Sequence, residues 1–93
     1  MSHPIILYIA SHGPAGPCKI GITTNDKMRF AQIQTGSPVR IIPEWSLACN
    51  NAPNLERRMH AAFADKRLKG EWFDITPKEA DAMLDIILTQ GCY

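Results

Sequence analysis

Paired cysteines, long apolar runs and a dominant net charge are all missing from this 93-residue chain, and each absence removes a class of protein. Cys18, Cys49 and Cys92 lie far apart with no C-x-x-C pair, which argues against a disulfide framework and against a zinc ribbon. A metal site built from two of them and His60 lacks the ligand spacing as well. No apolar stretch nears the roughly 20 residues of a membrane-spanning helix, so no membrane partner is expected. Met1-Ser2-His3-Pro4 runs straight into a strand without the basic-then-apolar pattern of a signal peptide, and a cytoplasmic protein is the expectation. No repeat, low-complexity tract or linker interrupts residues 1–93, which read as a single domain with one modest core.

The net charge of +1 conceals a polarised chain. Through Gly70, nine Lys and Arg stand against four Asp and Glu; from Glu71 onward, one Lys stands against five acids. Arg57, Arg58, Lys66, Arg67 and Lys69 fall within thirteen residues. Such a cluster is either a patch that neutralises phosphates or an ordinary solvated face.

Residues 7–29 organise the rest. Two runs rich in β-branched and aromatic residues, Ile5 to Ala10 and Lys19 to Thr23, flank a loop holding two glycines and two prolines, which predicts a strand, a long turn and a strand. Pairing symmetric about the loop sets Tyr8 opposite Gly21. Leu7, Ile9, Ile20 and Ile22 then share one face, and Tyr8, Lys19, Gly21 and Thr23 the other. Burial of the aliphatic set fixes that register, because a slip of one residue would mix the two faces.

Further along, Thr24 or Asn25 caps a short helix over about 26–34, with Phe30 and Ile33 as its apolar face. Val39 to Ala48 predicts a third strand, at an edge or broken near Pro43, because proline cannot donate to a ladder. A second helix follows Asn51 and Pro53 and runs to about Ala64, with Leu55, Met59, Ala62 and Phe63 on one stripe. Glu56 and His60 form an i, i+4 pair beside that stripe. Trp72 and Phe73 are expected to press inward from a short extended segment. Thr76-Pro77-Lys78-Glu79 is a capping box opening a last helix, with Ala80, Met83, Leu84, Ile87 and Leu88 as its stripe and Gly91 as its stop. The expected architecture is a small α/β (α+β) domain, a three-stranded and mainly antiparallel sheet packed by three helices.

Four fragments, Lys19-Ile20-Gly21-Ile22-Thr23, Arg29 to Gly36, Leu55-Glu56-Arg57-Arg58-Met59-His60 and Gly70-Glu71-Trp72-Phe73-Asp74, follow a first-strand tyrosine in order. Together they resemble the GIY-YIG endonuclease superfamily, in particular its small phage and bacterial branch described as a DNA-binding domain. The resemblance implies a first-motif tyrosine at Tyr8, a helix arginine at Arg29 and a single metal-binding glutamate at Glu56. It also implies DNA as partner and one Mg²⁺ or Mn²⁺ ion as cofactor. Lys19 stands where the second-motif tyrosine belongs, and Leu7 precedes Tyr8 where the family spells Gly-Ile-Tyr.

The same residues suit phosphodiester hydrolysis on chemical grounds. A phenol acts as base only if its pKa, normally about 10, is lowered, and a nearby ammonium lowers it. The hairpin register sets Lys19 diagonal to Tyr8, roughly 7–8 Å between backbones. Gly21 clears room for a phosphate. Arg29 offers a planar cationic fork for a phosphoryl oxygen. Glu56 can hold a divalent cation with waters completing the octahedron, and His60 can orient it. Arg40, Arg57, Arg58, Lys66, Arg67 and Lys69 are the candidate DNA contacts.

Plainer readings stand beside these. In that plainer account Tyr8 and Lys19 are a cross-strand pair, Arg29 and Glu56 a structural ion pair, and His60 a polar residue on the core margin. The leading expectation is a metal-dependent DNA endonuclease, and the alternatives are a non-catalytic DNA-binding module and a protein-interaction domain. So small a domain has little surface for reading bases, which makes a homodimer or a second protein the expected source of specificity.

Overall fold

The computed structural model of the chain describes residues 4–90. Its elements run β1 (Ile6–Ser11), β2 (Cys18–Thr23), α1 (Asp26–Thr35), β3 (Ile42–Ala48), α2 (Ala52–Ala62), a single 3₁₀ turn (Ala64–Lys66), β4 (Arg67–Lys69), β5 (Trp72–Phe73) and α3 (Pro77–Thr89). All pairings are antiparallel. The α+β architecture with three helices is as expected, but the sheet has five strands in the order β3-β1-β2-β5-β4 and not three. The two additional strands are three and two residues long, too short for side-chain alternation to announce them.

The β1–β2 register is the expected one, with Tyr8 opposite Gly21, Leu7 opposite Ile22 and Ile9 opposite Ile20. Leu7, Ile9 and Ile20 are wholly buried and join Leu55, Met59 and Phe73 in the core. β3 is the edge strand that Pro43 demands, and it slips against β1 where Ile9 pairs with Trp45 but Ala10 pairs with Pro43. That bulge leaves Glu44 without a partner residue opposite, and its carboxylate accepts a hydrogen bond from the buried Ser11 hydroxyl.

Helix ends follow their local chemistry. Asn25 caps α1, its Oδ1 accepting from the Met28 N–H at 3.1 Å. The Thr76–Glu79 capping box forms in both directions, at 2.9 and 3.1 Å. Asn51 occupies the cap position of α2, but its side chain makes no capping bond. α2 stops at Ala62, two residues early, and Ala62 is exposed while Leu55, Met59 and Phe63 are buried as expected. The stop proposed at Gly91, like Cys92, lies outside the described residues. α3 buries Ala80, Leu84 and Ile87. No helix among the described residues is long and apolar enough to cross a membrane.

One expected core pair separates. Phe73 is buried, whereas Trp72 is half-buried and turned to the other side of the sheet. Adjacent residues in a strand point to opposite faces, so β5 cannot bury both rings on one.

Candidate functional site

The Tyr8 face leads to the candidate site. Tyr8 is wholly buried without belonging to the aliphatic core, and its ring meets Phe30 of α1 edge-on, with centroids 5.4 Å apart at 79°. A Cβ added at Gly21 would lie 2.6 Å from the Tyr8 hydroxyl, 2.7 Å from its ring carbon Cζ and 2.8 Å from Glu71 Oε1. Only a hydrogen fits at position 21, and the phenol and the Glu71 carboxylate meet over it. Among the described residues, the buried Tyr8 hydroxyl makes no hydrogen bond of regular geometry, and the Arg29 guanidinium is the donor placed nearest to serving it.

Glu71 reaches this spot from the tip of the β4–β5 hairpin. Gly70, with φ at +59°, turns the chain back, and the Ile20 N–H donates to the Glu71 carbonyl at 3.1 Å. β5 ends too soon to pair with the remainder of β2, so the Ile20 carbonyl also lies on an open edge. His60 of α2 takes it, with Nε2 2.9 Å from that oxygen. A carbonyl only accepts, so Nε2 carries the proton and, in the neutral ring, Nδ1 holds the lone pair. The imidazole also rests on Phe73, centroids 4.9 Å apart. One turn earlier on α2 stands Glu56.

Glu56, His60 and Glu71 each offer one ligand atom, and the three atoms lie within 4.8 Å of one another. Glu56 Oε2 is buried with no hydrogen-bond partner among the described residues. Burial, and then the Glu71 carboxylate, raise the Glu56 pKa, while His60 and Arg67 pull it down. A divalent cation would satisfy both the orphaned oxygen and the crowded negative charge, so the donor set fits the ion that the sequence led us to expect.

Several expectations change in detail. Glu56 is not a lone acidic ligand, because Glu71 stands beside it. Lys19 forms its ion pair with Glu71, Nζ to Oε1 3.5 Å, instead of serving the phenol. The Tyr8 pKa is raised and not lowered: burial dominates, Glu71 and Glu56 add to it, and Arg29 of α1 opposes it. The phenol therefore keeps its proton at neutral pH. Arg29 acts on Tyr8 and makes no ion pair with Glu56.

The basic cluster is partly tied into the fold. Arg57 donates to Asn54 at 3.1 Å and Arg58 to Gln90 at 2.7 Å. Arg67 donates to the Gly70 carbonyl at 2.6 Å and lies over Phe73. Lys66, Lys69 and Arg40 are exposed. The sequence alone reads Glu71 as structural with its role open and Trp72 as a core ring and not a base-stacking platform; the structure brings Glu71 to Glu56 and turns Trp72 out of the core. The signal available for Glu71 was Gly70 itself, which predicts a tight turn immediately after a basic run.

A family model for the T5orf172 domain matches residues 5–88, nearly the whole chain, and the chain belongs to that family. This overturns the GIY-YIG assignment, since T5orf172 is a different family and the match falls there. The four fragments that suggested otherwise are short, and a hairpin glycine or a capped helix recurs in many unrelated folds. Searches of curated proteins and of solved structures return no match.

Proposed function

We propose that this T5orf172-domain chain hydrolyses phosphodiester bonds in DNA with the help of one divalent cation, Mg²⁺ or Mn²⁺. The observation that carries the reading is the group of Glu56, His60 and Glu71 ligand atoms within 4.8 Å of one another, with one carboxylate oxygen buried and unpartnered. A phenol and a guanidinium adjoin it. Two carboxylates with water suit a hard, octahedral ion. Such an ion, when bound, neutralises the carboxylates and polarises a phosphoryl oxygen.

The chain's own groups then divide the work. Glu56 and Glu71 hold the ion, and His60, anchored through Nε2 to the Ile20 carbonyl, stiffens the α2 side of the site. Arg29 offers its fork to a phosphate oxygen and favours the ionised form of Tyr8. Tyr8 keeps its proton at neutral pH, and Gly21, lacking a Cβ, leaves room for the phenol to stand beside the Glu71 carboxylate. Lys19 balances Glu71. Exposed Lys69 lies on the same hairpin as Glu71, exposed Lys66 on the 3₁₀ turn that leads into it, and both suit neighbouring phosphates, with Arg40 and Arg57 as outlying contacts. Sequence specificity comes from a second copy or another protein, and the reaction belongs in the cytoplasm.

The test is nicking of supercoiled plasmid in Mg²⁺ or Mn²⁺. Activity that disappears in EDTA and in Glu56→Gln supports the hydrolase. The full burial of the Tyr8 hydroxyl favours a second reading, a module that binds DNA without cutting it. Salt-sensitive, metal-independent gel shifts without nicking would establish that reading and overturn the hydrolase.

A further inference from the structure

A cleft of about 450 Å³ opens beside the carboxylates, within the range of roughly 300–1,000 Å³ common for small-ligand sites. His12, Lys19, Gln32, Ser37, Lys69 and Trp72 line it. Its wall toward the site is shared, because Lys19 both pairs with Glu71 and carries its ammonium 5.8 Å from the Trp72 ring centroid. The imidazole of His12, on the exposed β1–β2 loop, meets the same indole, centroids 4.7 Å apart at 47°. A half-buried indole, a ring on a loop, two lysines and the Gln32 amide supply what a nucleobase and its flanking phosphate need.

We infer that this cleft receives one unpaired base, stacked on Trp72, from the strand whose phosphate lies at Glu56 and Glu71, which makes single-stranded DNA or the unpaired part of a duplex the substrate. The inference rests on the proposed hydrolase for the identity of the phosphate. A base within a duplex is already stacked on both faces and cannot present a ring to Trp72 without leaving the helix. His12, packed on one part of the indole, borders the stacked base and does not cover it. Lys69 and Lys19 meet the phosphates on either side, and exposed Gln32 faces the base edge without demanding one sequence, while the Ser37 hydroxyl stays bonded to the Val39 backbone.

Binding is measured in EDTA, so that turnover plays no part. The Trp45→Phe variant leaves Trp72 as the reporting indole, and its emission is followed during titration with oligo(dT), with a blunt duplex of equal length and with oligo(U). We expect oligo(dT) to quench the emission and the duplex to leave it unchanged. In anisotropy titrations with labelled strands, Trp72→Ala lowers affinity for oligo(dT) about tenfold, and Trp72→Phe recovers most of it. His12→Ala, at an exposed position, lowers it severalfold. Equal quenching by duplex, preference for oligo(U), or unchanged affinity in both Trp72→Ala and His12→Ala would overturn the inference. The outcomes separate the two readings: Trp72-dependent binding of single strands without any cleavage keeps the cleft and removes the hydrolase, whereas Trp72-independent nicking of duplex does the reverse.

Discussion

On one face of the β1–β2 hairpin, Leu7, Ile9 and Ile20 are buried beneath α2 and α3, each of which buries three residues of its own. On the other face, Tyr8 is equally buried, yet its cover is α1, a helix with no buried residue. The first face is apolar surface against apolar surface, and burial there stabilises without qualification. The second hides a phenol that makes no regular hydrogen bond among the described residues. Of the three buried side-chain polar atoms without a regular hydrogen bond among the described residues, Tyr8 Oη lies on the second face, Glu56 Oε2 where α2 meets the β4–β5 hairpin, and Trp45 Nε1 on the aliphatic side. An unsatisfied buried polar group costs about 1–3 kcal/mol. A domain of this size keeps such a cost where the group has something to bind, so the difference between the faces marks where stability ends and chemistry begins.

The sharpest way to test the contrast is to damage each face separately. Leu55→Ala, in the centre of the aliphatic core, should lower unfolding free energy by about 2–5 kcal/mol in urea denaturation. Gly21→Ala should cost less, about 1–3 kcal/mol, because its methyl would press on the Tyr8 hydroxyl and ring while the far end of Glu71 can swing aside. The same variant should abolish nicking. A fully stable, fully active Gly21→Ala would mean that the close approach at position 21 has no consequence.

Tyr8→Phe and Glu56→Gln should behave in the opposite sense. Each removes or neutralises an orphaned polar group, so melting in EDTA should be unchanged or rise by up to about 1 kcal/mol in stability, while cleavage is lost. Addition of Mn²⁺ should stabilise the parent chain and leave Glu56→Gln unmoved. Marked destabilisation of both variants would show that the Tyr8 face is simply another core.

The smallest effect belongs to the aliphatic face at alkaline pH. Burial, reinforced by Glu44, Glu79 and Asp81, pushes the Cys18 thiol from 9.0 up to about 12. A folded-state pKa above the unfolded value means that the folded chain holds the proton longer, so this contribution to stability is intact below pH 9 and declines progressively above it. Cys18→Ala should flatten that decline in pH-dependent denaturation. Under native conditions at neutral pH, mass spectrometry after iodoacetamide treatment should find Cys49 modified before Cys18.

Much of this was legible because it is local. Alternation in Leu7-Tyr8-Ile9 and Ile20-Gly21-Ile22, with burial to break the tie, is enough to set the register. The capping box at Thr76 is written in four consecutive residues, and Pro43 announces an edge by lacking an N–H. The candidate site was legible only in pieces. Tyr8, Glu56 and His60 stood out, but the effect of Lys19 on Tyr8 did not materialise, since an ammonium goes to the nearest full negative charge and Glu71 supplies one. Motif order also pointed to the wrong family, because short fragments constrain a hairpin and a helix far more than they constrain ancestry.

From the order of its residues alone, the chain determined which sides of its strands and helices are apolar, where the helices begin, and that Tyr8 must lie across from Gly21. Only the tertiary structure decided that a two-residue strand would end beside Ile20, bring Glu71 to Glu56, leave a carbonyl for His60 and turn Trp72 onto an open cleft. The reason is one of range. Periodicity and capping act between neighbours a few positions apart, whereas the meeting of α2 with the β4–β5 hairpin depends on how α2, the 3₁₀ turn and that hairpin close together against β2.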